Sequence, residues 1–356
     1  MKQKTAIICL SRVNGGMELA SVKLARLLST KVEVEFIARD NSYIVNKQEH
    51  FKNYNIKVHT VSFSSNLSIS LIKSVREILI ENKIKNIIFL GASEIKSLYF
   101  ATLGLDINFI IRQGSKKTTS KKDFFHKIFY SNVDYFVGNC EYMKKNIIEI
   151  LPIAKNAKVS RIYSSLRLEE NISFKPYNNI INLVHVGRVH PGKGQLEAIK
   201  ACEILHNNNI KFNIKFLGDI QDKNYYENIN KYIDTLEYRS NIEFVGYTSE
   251  VKKYLQKSDV FIFPSLGEGM SNAIIESLGF GLIPIIYNDT SSPEFKDLGF
   301  HIYLTQNNTI EELKNLVLKV ATNIEEEKIK AKTNHKKALE VFALQREQKE
   351  YLELLV

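Results

Sequence analysis

The run Ile87-Ile88-Phe89-Leu90 is apolar at every position, and at this length it reads as a strand rather than a buried helix. A strand with one face in water alternates polar and apolar residues. One that does not must be covered on both faces, as in the interior of a parallel sheet with helices above and below. Similar β-rich runs recur at residues 5–10, 32–38, 56–61, 109–112 and 135–138, with amphipathic segments such as 18–28 and 69–81 between them. The spacing predicts a parallel sheet wound with crossover helices.

The alternation lapses between about residues 166 and 179, through Arg167-Leu168-Glu169-Glu170-Asn171 and Lys175-Pro176-Tyr177-Asn178-Asn179. It restarts with strand-like runs at 181–186, 212–217, 242–245, 260–264 and 282–287, separated by helical patterns at 193–207, 224–236, 250–257 and 272–279. The fold class expected is therefore α/β, with two doubly wound domains. Residues 1–170 form the first, residues 178–339 the second, and the polar stretch is the linker. From Thr309 onward the sequence is helical, with Leu313, Leu316, Val317 and Val320 on one stripe. The helix at about 340–356 is expected to pack back on the first domain. At 356 residues and 44% hydrophobic, the chain has the apolar content for two cores.

Met1-Lys2-Gln3-Lys4 ahead of a short apolar run looks like the start of a secretion signal. The run is too short, however, and leads into Ser11-Arg12 rather than a small-residue cleavage site, so a buried first strand is predicted. No apolar stretch approaches the roughly 20 residues that span a bilayer. The expectation is a cytoplasmic protein, at most peripheral on the inner face of the cytoplasmic membrane. Cys9, Cys140 and Cys202 are far apart in sequence, which fits free thiols and neither a zinc site nor a disulfide framework. The eight histidines show no metal-ligand spacing, and His190, inside the turn described next, is expected to support or face solvent rather than catalyse. A formal charge of +10 permits nucleic acid, a lipid surface or a phosphorylated substrate as partner, and a Lys/Asn/Ile-rich composition gives the same excess without any binding role.

Three motifs carry chemistry. The apolar run 181–186 leads into Gly187-Arg188-Val189-His190-Pro191-Gly192-Lys193-Gly194 and then a helix. Glycines admit an anion to the backbone, a helix N-terminus aims N–H groups at it, and Arg188 and Lys193 add full positive charges. An ordinary strand-to-helix turn with surface cations would have the same residues; a P-loop would need a Lys-Ser or Lys-Thr pair, which is absent. Some eighty residues on, the strand 260–264 exits into Ser265-Leu266-Gly267-Glu268-Gly269-Met270-Ser271-Asn272 and the helix that carries Glu276. Glu268 and Glu276 are both placed to reach the C-terminal edge of the sheet, where ionised carboxylates suit the vicinal hydroxyls of ribose or sugar. The third motif, Asn14-Gly15-Gly16-Met17-Glu18, is a glycine turn after the first strand; a plain tight turn explains it equally well.

At this order and separation, these elements resemble the retaining glycosyltransferases of family four, the glycosyl transferases group 1. Their architecture is GT-B, two Rossmann-like domains facing a central cleft. The Gly-Arg-x-x-x-x-Lys-Gly turn matches Gly187 to Gly194, and the Glu-x-seven-Glu motif after Pro-Ser matches Pro264 to Glu276. The resemblance implies that Arg188, Lys193 and Glu268 are catalytic, the two cations on the donor diphosphate and Glu268 against the transferred sugar. It implies donor binding by Gly187, Gly269, Met270, Ser271, Asn272 and Glu276, the last on ribose, and by Gly15 and Gly16 from the first domain. It implies donor binding by Tyr247 too, which falls where the family places the nucleotide base. Fixed cations facing a diphosphate that gains charge as it leaves would do the main work. No metal site and no cofactor are expected: the nucleotide-sugar is a substrate, and no Asp-x-Asp metal motif is present.

Two positions depart from the family. Arg112-Gln113-Gly114-Ser115 stands where many relatives have a histidine, and Ser164-Ser165 replaces an Asn-Gly near the linker. The segment from Lys116 to Tyr130 mixes cations with aromatics. It reads either as a dock for anionic lipid or as a basic loop followed by a helix whose Phe124, Phe125, Ile128 and Phe129 belong to the core. The function expected from the resemblance is transfer of a sugar from a nucleoside diphosphate donor, a UDP-sugar, to a glycan or lipid-linked acceptor, with retention, in bacterial lipopolysaccharide, capsule or other surface polysaccharide synthesis. No nucleic-acid partner is expected on that reading. The alternatives are a nucleotide-sugar epimerase or phosphorylase on the same fold, or a non-catalytic basic protein that binds membrane or nucleic acid.

Overall fold

The computed structural model describes residues 4–13 and 15–356; Met1, Lys2, Gln3 and Asn14 of the motifs above lie outside them. Two compact units result, residues 1–164 with 344–356, and residues 165–343.

In the first unit the elements run β1 (Lys4–Cys9), α1 (Gly16–Ser29), β2 (Glu33–Arg39), α2 (Tyr43–Asn46), β3 (Ile56–Val61), α3 (Ile69–Glu81) and β4 (Asn86–Leu90). They continue with α4 (Ile95–Thr102), β5 (Asn108–Gln113), α5 (Phe124–Phe129), β6 (Tyr135–Gly138), α6 (Glu141–Ile150) and β7 (Lys158–Arg161). All strand pairs are parallel, in the order β3-β2-β1-β4-β5-β6-β7. The period-2 geometry of a strand sends neighbours to opposite faces. Ile8, Ile87, Phe89 and Ile111 accordingly enter one core, while Ile7, Ile88, Leu90 and Ile110 enter another. Both faces are buried, which is why these strands read as continuous apolar runs.

In the second unit come β8 (Ile181–Val186), α7 (Gln195–Asn207), β9 (Phe212–Leu217), α8 (Lys223–Ile233), β10 (Ile242–Gly246), α9 (Val251–Gln256) and β11 (Val260–Phe263). Then follow α10 (Asn272–Gly279), β12 (Ile283–Ile286), α11 (Ser292–Asp297), β13 (Tyr303–Leu304), α12 (Ile310–Thr322) and α13 (Ile324–Val341). The sheet is parallel with order β10-β9-β8-β11-β12-β13. Both sheets therefore reverse direction once, between β1 and β4 and between β8 and β11. At such a reversal the loops leaving two adjacent strands diverge and open a crevice at the carboxyl ends.

The last helix, α14 (Leu344–Leu352), belongs to the first unit. Tyr351 is fully buried beside Val22, Leu24 and Leu28 of α1, and Lys23 Nζ meets the buried Glu347 carboxylate at 2.7 Å. Asn108 Nδ2 donates to Leu354 O at 2.7 Å, and Val356 N donates to Asn86 Oδ1 at 3.0 Å, so the tail ties the start of β4 to the start of β5. Cys9, Cys140 and Cys202 are buried and form no disulfide with one another. Among the described residues no helix is long and apolar enough to cross a membrane.

One expectation of the core is overturned. Phe124 and Phe125 are 71% and 66% exposed, Ile128 is also at the surface, and none of α5 is buried. Only Phe129 of the four packs inward, against Tyr99 and Phe100.

Candidate functional site

The reversal between β8 and β11 places the Gly187–Gly194 turn and the Ser265–Asn272 loop side by side in the second unit. The join is tight because two glycines sit where nothing larger fits. Gly194 has φ +73°, and a Cβ there would lie 2.2 Å from the Pro264 carbonyl oxygen. Gly218, after β9, has φ +140°, and a Cβ there would lie 2.3 Å from Gly187 O. Backbone bonds complete the contact: Leu266 N donates to Gly192 O at 3.0 Å, and Gly187 N to Leu217 O at 2.8 Å. Pro191 and the left-handed Gly194 close a 3₁₀ turn over Pro191–Lys193, so α7 starts at Gln195, two residues later than the sequence pattern suggested.

The two motifs meet through side chains as well. Lys193 Nζ forms an ion pair with Glu268 Oε1, and both side chains are mostly buried. Ser265 Oγ lies 2.7 Å from the same carboxylate oxygen and 3.1 Å from Gly192 O. Arg188 is exposed on the turn, and its backbone carbonyl accepts from Gln195 Nε2 at 2.9 Å. The site thus carries one cation held by a carboxylate and another facing solvent, next to the N-terminus of α7, whose cap residue, Gly194, has no side chain to occupy the first N–H groups.

His185 shapes the turn from below. It is fully buried between Phe216 and Phe263, and its Nε2 lies 2.7 Å from Lys193 O. Burial, with the Lys193 charge adding to it, pushes its pKa down to about 4, so the ring is neutral and its Nε2–H donates to the carbonyl. His190 Nδ1 accepts from Gly192 N at 3.2 Å, a supporting role within the turn.

On the β11 side, Glu268 O accepts from Thr290 Oγ1 at 2.5 Å, Gly269 O from Ser291 Oγ at 2.7 Å, and Asp289 Oδ2 from Gly267 N at 2.5 Å. These clamps come from the loop after β12, and sequence reasoning missed them along with Gly218 and His185. Their only signal was position, polar or glycine residues just past a strand's carboxyl end. Thr290 has φ +45°, a strained setting for a β-branched residue, and it is held there by the bond to Glu268. Met270 and Ser271 are buried, and Asn272 opens α10. Tyr247 is 75% exposed after the left-handed Gly246.

Glu276 lies one turn inside α10, and its carboxylate has no hydrogen-bond partner among the described residues. Burial raises its pKa above the ordinary carboxylate value, with Lys252 partly opposing. A raised folded-state value means that the stability the group contributes is full below the ordinary carboxylate range and is lost as pH rises through the folded value. At neutral pH the ionised side chain is therefore a cost to the fold. Glu276→Gln is expected to melt higher than the wild type at neutral pH, the gap closing as pH falls into the ordinary carboxylate range; a lower melting temperature for the variant would mean that the carboxylate is already satisfied.

In the first unit, Gly15 caps α1, and Glu18 lies buried one turn in, its carboxylate against Gly15. The two departures from the family pattern meet: Arg112, buried at the end of β5, donates from Nη2 to Ser164 Oγ at 2.6 Å.

Residues 167–338 match the family model described as glycosyl transferases group 1. The chain is 25% identical over 321 residues to the capsular polysaccharide biosynthesis glycosyltransferase CapH of Staphylococcus aureus, covering 86% of this chain and 89% of CapH. It is 24% identical to an N-acetylgalactosaminyltransferase of Campylobacter jejuni that acts on a diphospho-undecaprenol-linked sugar, covering 78% of each chain. Among solved structures, the glycosyltransferase of Rickettsia africae superposes with a TM-score of 0.82 at 17% identity, over 99% of this chain and 97% of that one. HepE of Anabaena in complex with UDP and glucose gives 0.77 at 15% identity, over 99% and 98%.

Proposed function

We propose that this glycosyltransferase of the GT-B type, whose residues 167–338 match the glycosyl transferases group 1 model, transfers a sugar from a UDP-sugar to a glycan or lipid-linked acceptor, releasing UDP, with retention of configuration, in bacterial capsule, lipopolysaccharide or other surface polysaccharide synthesis. The observation that carries this reading is the Lys193–Glu268 ion pair, which joins the phosphate turn to the paired-carboxylate loop. A turn that held only a surface anion would have no need of a carboxylate against its lysine.

The roles follow from charge. Breaking the bond between sugar and diphosphate develops negative charge on the leaving oxygen and positive charge on the anomeric carbon. Arg188, Lys193 and the N-terminus of α7 take the first; Glu268 faces the second and the sugar hydroxyls. Glu276, half-buried and without a hydrogen-bond partner among the described residues, accepts from the two ribose hydroxyls. The backbone of Gly269, Met270, Ser271 and Asn272 contacts sugar and phosphate, and Gly187 allows close backbone approach. Tyr247, exposed after β10, contacts the nucleotide base of the donor. With two side-chain cations on the diphosphate, the reaction proceeds without a divalent metal. UDP is favoured as the donor nucleotide by the likeness to HepE, and a lipid-linked acceptor by the Campylobacter relative.

Calorimetric titration of UDP, GDP and ADP in the presence of a chelator tests this reading. UDP alone is expected to saturate, and Arg188→Ala and Glu276→Ala to abolish the heat. Binding that requires added magnesium would overturn metal independence, and no binding of any nucleotide would remove the donor assignment.

A further inference from the structure

The lysine-rich segment and α5 form a surface that the donor site does not use. Phe124 and Phe125 pack edge to face with each other, ring centroids 5.7 Å apart, and project into solvent. Ile128 follows at i+3 and i+4 on the same helix face. Phe100 of α4 and Leu103 just after it are also exposed, and Phe100 packs against Phe129, so the apolar surface continues from α5 onto α4. This exposure is fixed by backbone bonds. Lys117 N and O both bond the Asn146 side chain at 2.9 Å, Lys121 N donates to Ile150 O at 2.8 Å, and Asp123 Oδ1 caps α5 through His126 N at 3.1 Å.

The same segment carries Lys116, Lys117, Lys121, Lys122 and Lys127, and Lys96 of α4 lies over the Phe129 ring. The one acid of the segment, Asp123, is engaged with His126. Among the described residues no ion pair joins Lys96, Lys117, Lys121, Lys122 or Lys127 to an acid. Burial and then the charges of Lys117 and Lys96 lower the pKa of Lys121, so these amines sit close enough to repel one another, with Glu94 opposing. An apolar ridge of this kind calls for a partner. A protein groove would satisfy the aromatics and leave the lysines unpaired, whereas the surface of an anionic bilayer satisfies both at once.

We propose that this face of the first unit docks onto an anionic phospholipid bilayer, Phe124 and Phe125 entering the acyl boundary while the lysines lie on headgroup phosphates. The purpose of such docking, reaching an acceptor anchored in the membrane, rests on the function proposed above; the docking itself does not.

The chain has no tryptophan, so Phe125→Trp gives a single reporter. In the full-length protein its emission is expected to shift to the blue with vesicles of phosphatidylcholine and phosphatidylglycerol, and to stay unchanged with phosphatidylcholine alone. In vesicle sedimentation, the Phe124→Ser, Phe125→Ser double variant is expected to bind roughly tenfold more weakly or less. The quadruple change of Lys116, Lys117, Lys121 and Lys122 to Glu is expected to weaken binding about a hundredfold or more. UDP titration of the same variants checks that they are folded and keeps the two readings apart: vesicle binding lost with UDP binding intact supports the dock. An unshifted emission, equal binding to neutral vesicles, or sedimentation unchanged by either set of substitutions overturns it. So does binding that falls with the lysine changes and not with the phenylalanine changes, which would leave an ordinary basic surface.

Discussion

Lys193→Ala is expected to lower turnover with a UDP-sugar by a factor of about 10²–10³, the usual loss when one fixed charge is removed from a developing oxyanion. UDP affinity should fall as well, because the same ammonium contacts the diphosphate in the ground state. Glu268→Gln separates two roles that the ion pair merges. The diphosphate must compete with Glu268 for Lys193, since the two side chains are paired within the folded unit. Removing the carboxylate's charge frees the ammonium, so UDP should bind at least as tightly to Glu268→Gln as to the wild type. Turnover should nonetheless drop by about 10²-fold or more, since the positive charge that grows at the anomeric carbon has lost its counter-charge. If Lys193 served only to hold Glu268, the two variants would behave alike. Titration of UDP together with initial rates for both variants and their combination checks this, and weaker UDP binding in Glu268→Gln would count against the competition.

What the sequence made legible follows the physics of burial. Central strands were visible because both of their faces are covered, which removes polar residues from the run, as at β4. The strands β7 and β13 were not visible. Lys158–Arg161 is an edge strand with polar, half-exposed side chains, and Tyr303–Leu304 is two residues long, so neither had an apolar run to read. Arg188, Lys193, Glu268 and Glu276 could be singled out in the sequence because the chemistry proposed for them needs fixed residue types at fixed spacing. The residues that hold them could not: Gly218, His185, Thr290 and Ser291 belong to other strands and loops, and only the order β9-β8-β11-β12 brings them in. The aromatic helix failed in the opposite sense. Phe124, Phe125 and Ile128 have the composition of a core, and composition does not say which side of a helix meets the protein.

Gly194→Ala is expected to destabilise the second unit strongly. At φ +73° an alanine is strained by about 1–2 kcal/mol, and the added carbon, 2.2 Å from Pro264 O and 2.7 Å from Pro264 C, meets backbone rather than a movable side chain. The strand exit cannot yield easily, because Leu266 N and Ser265 Oγ hold Gly192 O on one side and β11 is paired with β8 and β12 on the other. With an overpacking cost of about 1–3 kcal/mol, the total destabilisation is about 2–5 kcal/mol, enough to lower the melting temperature by roughly 5–15 °C. Gly192→Ala is the matched control two residues away. Its new carbon would meet His190 Nδ1 at 3.6 Å, an ordinary contact, and its melting temperature should stay near that of the wild type. UDP titration supplies the second readout: if relief of the clash moves the turn off Pro264, Lys193 and Glu268 separate, and Gly194→Ala loses UDP binding even below its melting transition. A Gly194→Ala protein that melts with the wild type and binds UDP equally would mean that the turn and the loop are not locked together at Pro264, and that the ion pair alone sets the site.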